Sequence, residues 1–332
     1  MRSRLAVLAV ALCATLAAPA HAQPAEAQIA ADLGLPGDAV QRIEKGEMVA
    51  TYPRSGGERE IAVRLAFLVK APPSTVVAGF SHGSDFSDDP TVTASHTISA
   101  NPSLADFASL TLTPNGAAEA QRYVTAKPGV KLNLSAAEIA AFAALGKDAS
   151  QSAVEAQVRQ MLLARLQAYR TQGFDGVAPY ARSDGETRRP PTVIRRSSQS
   201  PVLKRYALAF QTALLNYPND PAAGMHDDFY WMVSTLDGRP NIALRQRLSV
   251  QVGPAYALAD REFYVSHGYN AMQAIAALLP TADGYTVMYY GSRTTTDQVG
   301  GFGSSAKRAI GARMMATQLK AIFDKTRAAF AK

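Results

Sequence analysis

Apolar and polar residues alternate most clearly in two parts of this chain, one near its beginning and one in its last third. From Glu60 to Lys70, Ile61, Val63, Leu65, Phe67 and Val69 alternate with Ala62, Arg64, Ala66 and Lys70. A period of two is what a half-buried strand requires, because successive side chains point to opposite faces. Pro72-Pro73 ends the strand, and Ser74 is placed to cap a short helix carrying Val76, Val77 and Phe80. Residues 81–130 are rich in Ser, Thr, Asp, Gly and Pro, with short strands expected around Thr91–Ser99 and Ser109–Thr113. The middle switches to helical spacing. Ser135 and Glu138 form a capping box, in which hydroxyl and carboxylate each satisfy a free backbone N–H, and a helix follows to about Leu145. A second helix runs from about Ser152 to Thr171, with Val154, Val158, Met161, Leu162 and Tyr169 on one face and Gly173 as its stop. A third starts at Ser200-Pro201 and ends at Pro218, after a turn-rich basic stretch over 173–199.

Strand patterning returns at Phe229, Trp231 and Val233, which lead into Asp237-Gly238, a two-residue hairpin signal. Ile242, Leu244, Leu248, Val250 and Val252 then alternate with Ala243, Arg245, Arg247, Ser249 and Gln251. Leu244, Leu248 and Val250 are expected inside, with Arg245 and Arg247 facing water or the mouth of a cavity. Glu262–His267 reads as a further strand, Asn270–Leu279 as a short apolar helix, and Asp283-Gly284 as a turn into a strand over Tyr285–Tyr290. A long helix from about Ser304 to Phe330 closes the chain, with Met315, Leu319, Ile322, Phe323 and Phe330 as its apolar stripe. This order defines an α+β class in which a curved antiparallel sheet packs on the long C-terminal helix. A single domain over 23–332 is expected, with a helical insertion at about 131–220.

The first residues change where this domain is expected to reside. Arg2 and Arg4 precede an apolar run from Leu5 to Ala18, and Ala20-His21-Ala22 supplies the small residues that a signal peptidase reads. The run is shorter than a membrane span of roughly 18–20 residues needs. A signal peptide over 1–22, a mature start near Gln23 and a periplasmic or secreted location are expected. Cys13, the only cysteine, lies inside that run after the bulky Leu12, where a lipid-attachment signal would want a small residue. Its removal leaves no disulfide, so packing must carry stability. Loss of Arg2 and Arg4 lowers the formal charge from +7 to +5. The remaining excess is densest at Arg188, Arg189, Arg195 and Arg196, a loop suited to peripheral contact with an anionic envelope surface. Export argues against nucleic acid as a partner.

No motif names a reaction. The histidines of the mature chain are His82, His96, His226 and His267, and none belongs to an H-E-x-x-H pair. In His226-Asp227-Asp228 the side chains of an extended segment cannot converge on one ion, so no metal is expected. Ser81-His82-Gly83 and Ser266-His267-Gly268 lack a nucleophile elbow, and neighbouring strand residues face opposite sides. Glu262 and His267 are the catalytic candidates, though five positions apart they fall on opposite faces of a regular strand. Gly300-Gly301-Phe302-Gly303 lacks the Lys-Ser/Thr of a phosphate loop, and no cofactor is expected.

The opening strand and helix (Glu60 to Phe80), with the closing strand, glycine loop and helix (Tyr285 to Phe330), resemble the START-like helix-grip fold. In that fold sheet and C-terminal helix enclose a cavity for an apolar ligand, and the long helical middle would be an insertion into it. The segments YVSHGYNAMQAI and TVMYYGSRTTTDQVGGFG are similar to a group of exported bacterial proteins, which implies export and no particular activity. The helix-grip resemblance implies a small apolar or amphipathic ligand, such as a lipid. Trp231, Tyr289, His267, Arg293 and Asp297 are the residues expected to contact it. Arg293 and Asp297 are read as an exposed pair within the loop 291–303, which would border the cavity entrance. Two other readings stand beside this one: a hydrolase or cyclase-like enzyme using His267, Glu262 or Arg293 in the same cavity, and an envelope interaction protein with no pocket.

Overall fold

The computed structural model describes residues 30–81, 89–189 and 191–330. Residues 1–22, where a signal peptide is expected, Cys13 among them, and His82 lie outside them. In chain order the strands are β1 (Val49–Thr51), β2 (Glu60–Val69), β3 (Val92–Ile98), β4 (Tyr180–Ala181), β5 (Thr187–Arg188), β6 (His226–Leu236), β7 (Arg239–Val252), β8 (Ala255–Val265), β9 (Ala271–Pro280) and β10 (Thr286–Thr295). Apart from the small β4–β5 hairpin they form one curved, eight-stranded antiparallel sheet in the order β1-β2-β10-β9-β8-β7-β6-β3. The last five strands are a continuous meander, and β2 closes against β10 with Phe67 opposite Met288. Asp237 and Gly238, with φ of 53° and 72°, make the tight β6–β7 turn that the sequence signals. The edges are limited by a three-residue strand on one side and the polar β3 on the other.

Helices cover both faces of the sheet. Helix α1 (Ala39–Glu44) packs Ala39 and Ile43 near Ala66 and Tyr289. Helix α2 (Pro73–Ser81) lies on the other face, where Val76 and Phe80 join the core beneath the C-terminal helix. Then come α3 (Gly116–Val124), α4 (Ala136–Ala144), α5 (Gln151–Gln172), α6 (Pro191–Ser198), α7 (Pro201–Tyr206) and α8 (Leu208–Asn216), a helical layer inserted between β3 and β6. This layer shares the α1 face: Tyr169 of α5 stacks on Phe263 at 4.1 Å, and Trp231 is buried with them. The expected capping box closes α4 with both of its hydrogen bonds. Helix α9 (Ser304–Phe330) packs along the opposite face, Phe323 meeting Phe67 at 5.0 Å and Tyr290 at 4.9 Å. Gly311 lets the helix approach the sheet, because a Cβ there would come within 2.9 Å of Ile61.

Several local expectations are corrected. Asn270–Leu279 is no helix; the run forms β9 between β8 and β10. Its alanines favour a helix in isolation, but a central strand covered on both faces also reads as a continuous apolar run, and sheet pairing decides. The stretch 173–199 holds the β4–β5 hairpin and α6. The third helix breaks at Ala207 (φ −146°, ψ 52°) into α7 and α8. Residues 109–113 form no strand: Arg159 of α5 donates to the Leu110 carbonyl at 2.8 Å, and Glu155 accepts from the Leu112 N–H at 3.0 Å. Side chains there replace a ladder.

Candidate functional site

The space between the sheet and α9 is a cavity of about 570 Å³. Its origin lies in β9 and α9. Ala274 and Ala276 are successive residues on the cavity side of β9, and across from them α9 presents Leu319, Ala321, Ile322 and Phe323. Two short side chains beneath a helix held off by larger neighbours leave volume unfilled. Leu258, Met272 and Met288 complete an apolar wall.

The wall changes character toward β7 and β8. The tight turn at Gly253-Pro254 sets a register that places Arg245 opposite Glu262 and Arg247 opposite Asp260. All four side chains line the cavity. Arg245 meets Asp260 at 2.9 Å and Glu262 at 3.6 Å, while Arg247 meets the other Asp260 oxygen at 2.6 Å. Arg247 also donates to the Phe80 carbonyl, tying the sheet floor to α2. Tyr269 donates to Glu262 at 2.6 Å. Burial pushes the Asp260 carboxyl up, but the Arg245 and Arg247 guanidiniums outweigh it and hold the group below the usual carboxylate range. Glu262 goes the other way: burial dominates, and Arg245 and Tyr269 only partly offset it, so its carboxyl sits above its ordinary value.

A register irregularity keeps this polar floor separate from the aromatic core. Leu244 pairs Tyr264 while Arg245 pairs Glu262, so one residue of β8 is extra. Phe263 and Tyr264 both turn into the core under the inserted helices, and Glu262 keeps its place on the cavity side. The interior side of β7 is as expected, with Leu244, Leu248 and Val250 buried. Arg245 and Arg247 do face the cavity, but they are buried and paired there rather than in water. Arg261, on the opposite face of β8, is also fully buried and is held by Gln273 at 2.7 Å, Tyr169 at 3.2 Å and the Leu214 carbonyl.

The residues nominated from sequence are dispersed. Glu262 lines the main cavity. His267 and Asp297 line a second, smaller one of about 200 Å³ that also touches Arg239 and Asn270. Glu262 and His267 therefore stand at different cavities. Trp231 is buried under the inserted helices, its indole N–H donating to the Asp106 carbonyl at 2.7 Å. Tyr289 packs against α1. Neither is on the cavity side of its strand, where Met232 and Tyr290 are found instead. Arg293 belongs to β10, not to a loop, and pairs with Glu60, which Arg196 also holds at 2.7 Å. Asp297 is clamped by Arg59, Arg182 and Arg188 at 3.2, 3.0 and 3.0 Å. The expected Arg293–Asp297 pair is thus replaced by two separate clusters. Strand β10 continues to Thr295, which carries the two side chains to different neighbours. Burial raises the Asp297 carboxyl, but its bonds to Arg188, Arg182 and Asn270 prevail and keep it low.

His267 gives a pH-dependent expectation. Its Nε2 lies 3.2 Å from the Pro240 carbonyl, and burial, with Arg239 nearby, lowers its pKa from 6.5 to about 4. Between those values the unfolded chain takes up a proton that the folded chain refuses. Stability should therefore rise with pH from about 4 to 6.5, by at most about 3 kcal/mol from this group. Denaturant titrations of wild type and His267→Gln across that range check it. The variant should show a shallower slope, and equal slopes would contradict a buried neutral imidazole.

Among the described residues, no group of three or more His, Cys, Asp or Glu side chains is arranged to hold a metal ion, and no helix is long and apolar enough to cross a membrane. Comparison with protein-family models, curated proteins and solved structures gives no match.

Proposed function

We propose that this chain is an exported, periplasmic or secreted protein that holds one small amphipathic molecule, such as a lipid, between its sheet and α9, in the manner of a helix-grip fold. The observation that carries this reading is the two-sided lining of the cavity. Arg245, Arg247, Asp260, Glu262 and Tyr269 offer charged and hydrogen-bonding groups at the β7–β8 end, and Leu258, Met288, Leu319, Ile322 and Phe323 offer apolar surface at the other. A volume of about 570 Å³ falls within the usual range for small-molecule sites. A polar head against the floor and a chain along α9 would satisfy both ends without burying an unpaired polar group. The separation of Glu262 from His267 weighs against a histidine–carboxylate enzyme in this cavity, and the cavity itself weighs against a filled-core interaction protein. Titration with a dansyl-labelled medium-chain fatty acid tests the reading: saturable, one-to-one fluorescence enhancement is expected. Absence of enhancement, together with no amphiphile extracted from protein purified out of the cell envelope, would contradict it.

A further inference from the structure

We propose that the outer side of α9, with the loop that leads into it, docks on the surface of an anionic lipid bilayer. Helix α9 turns Ala312, Ala316 and Phe323 toward the sheet. On its other side Ile310 and Met314, one turn apart, are 58% and 61% exposed, and Phe302 is fully exposed in the glycine-flanked loop before the helix. Large apolar side chains rarely line up in water unless something covers them. The helix carries Lys307, Arg308, Arg313, Lys320, Lys325 and Arg327 against the single acid Asp324. Arg308 is held by the Glu58 carbonyl and Arg327 by Asp324 and the Gly46 carbonyl, which leaves Lys307 and Arg313 as the exposed cations beside the ridge. At 100° per residue, Lys307 falls on one flank of the Ile310–Met314 ridge and Arg313 on the other, and both are exposed. An apolar ridge between basic flanks is the arrangement of helices that lie in a membrane interface.

Charge also decides between occupants. A second copy presenting the same face would bring two strongly basic helices together, whereas anionic headgroups complement them. The basic stretch at 188–196 is a poorer docking element. Arg188 is held by Asp297, Asp184 and Glu186, Arg196 by Glu60, and Arg195 lies over the Phe174 ring. Position adds a consequence: Gln318, Ala321, Ile322 and Lys325 line the cavity from α9, so docking through this helix would bring the cavity rim to the lipid surface.

The test is co-sedimentation of the mature protein with vesicles of phosphatidylglycerol and phosphatidylcholine, and of phosphatidylcholine alone. Binding is expected on the anionic vesicles, weakening as salt is raised. A Phe302→Ser/Ile310→Ser/Met314→Ser variant should bind about tenfold more weakly, and Lys307→Glu/Arg313→Glu should bind weakly at every salt concentration. These positions are exposed, so unchanged thermal melts are expected and confirm that both variants are folded. No binding by wild type, equal binding by the variants, or equal binding to neutral vesicles would overturn the proposal. So would a dimer, seen by light scattering, that the serine variant dissociates. None of these outcomes bears on whether the cavity binds a ligand.

Discussion

Replacing Asp260 by Ala is expected to lower the free energy of unfolding by about 3 kcal/mol, the low end of the usual cost of removing one partner from a buried ionic cluster. Asp260 is the carboxylate shared by Arg245 and Arg247, whose side chains are only 11% and 6% exposed. Without it, each guanidinium loses a close carboxylate contact, at 2.9 Å for Arg245 and 2.6 Å for Arg247, and Arg245 keeps Glu262 at 3.6 Å. Glu262 is poorly suited to compensate, because burial already disfavours its ionised form. The companion variant Arg247→Met/Asp260→Leu removes a whole ion pair and should recover much of the loss, since apolar replacements often match buried pairs in stability. Chemical denaturation of both variants checks this. A mild effect of Asp260→Ala would show that water reaches the floor and screens the arginines.

Asp297→Ala is the second substitution with a large expected cost, about 3 kcal/mol. It deprives Arg182, 3% exposed at its side chain, of its ionic partner and loosens Arg188 and Arg59 as well. Arg182 would keep Asn133, Asn270 and the Gly129 carbonyl, so the loss is partial rather than complete. Arg293→Ala should cost less, about 1–2 kcal/mol, because Glu60 retains Arg196 and the Gly56 N–H. Thermal or urea melts rank the two. If Arg293→Ala proved the more damaging, Asp297 would not be the keystone of the β10–α9 connection.

The sequence-based expectations succeeded where one local signal had one physical meaning. Period-two patterning located β2, β6 and β7, the Ser135–Glu138 box located α4, and Asp237-Gly238 located the turn that its positive φ angles require. The polar floor was half legible. Arg245-x-Arg247 and Asp260-x-Glu262 flank the turn at Gly253-Pro254 at matching distances, so hairpin pairing alone would have placed them opposite each other. The apolar alternation of β7 marks only which face is buried, and does not show that the arginines on the other face meet carboxylates across the turn. Trp231 and Tyr289 are expected at the ligand on the helix-grip resemblance, but a strand's side chains divide between two faces, and here both faces are covered. Which face holds the cavity depends on where the inserted helices and α9 come to rest, a long-range outcome that no local pattern encodes. Strand β9 shows the same limit. Its alanines open the cavity, yet in sequence they resemble a helix.

Those alanines offer the most direct test of the ligand-binding account. Ala276 lies between Leu258 and Tyr290 in the sheet and faces the cavity. Phenylalanine suits a strand and would place its ring in space that the account assigns to the ligand chain. The measurement is the fatty-acid probe titration on wild type and Ala276→Phe side by side, with thermal melts of both. The account predicts one-to-one binding by wild type, at least about tenfold weaker binding by the variant, and a melting temperature that does not fall. Undiminished probe binding by a folded Ala276→Phe protein would mean that the ligand does not lie between the sheet and α9.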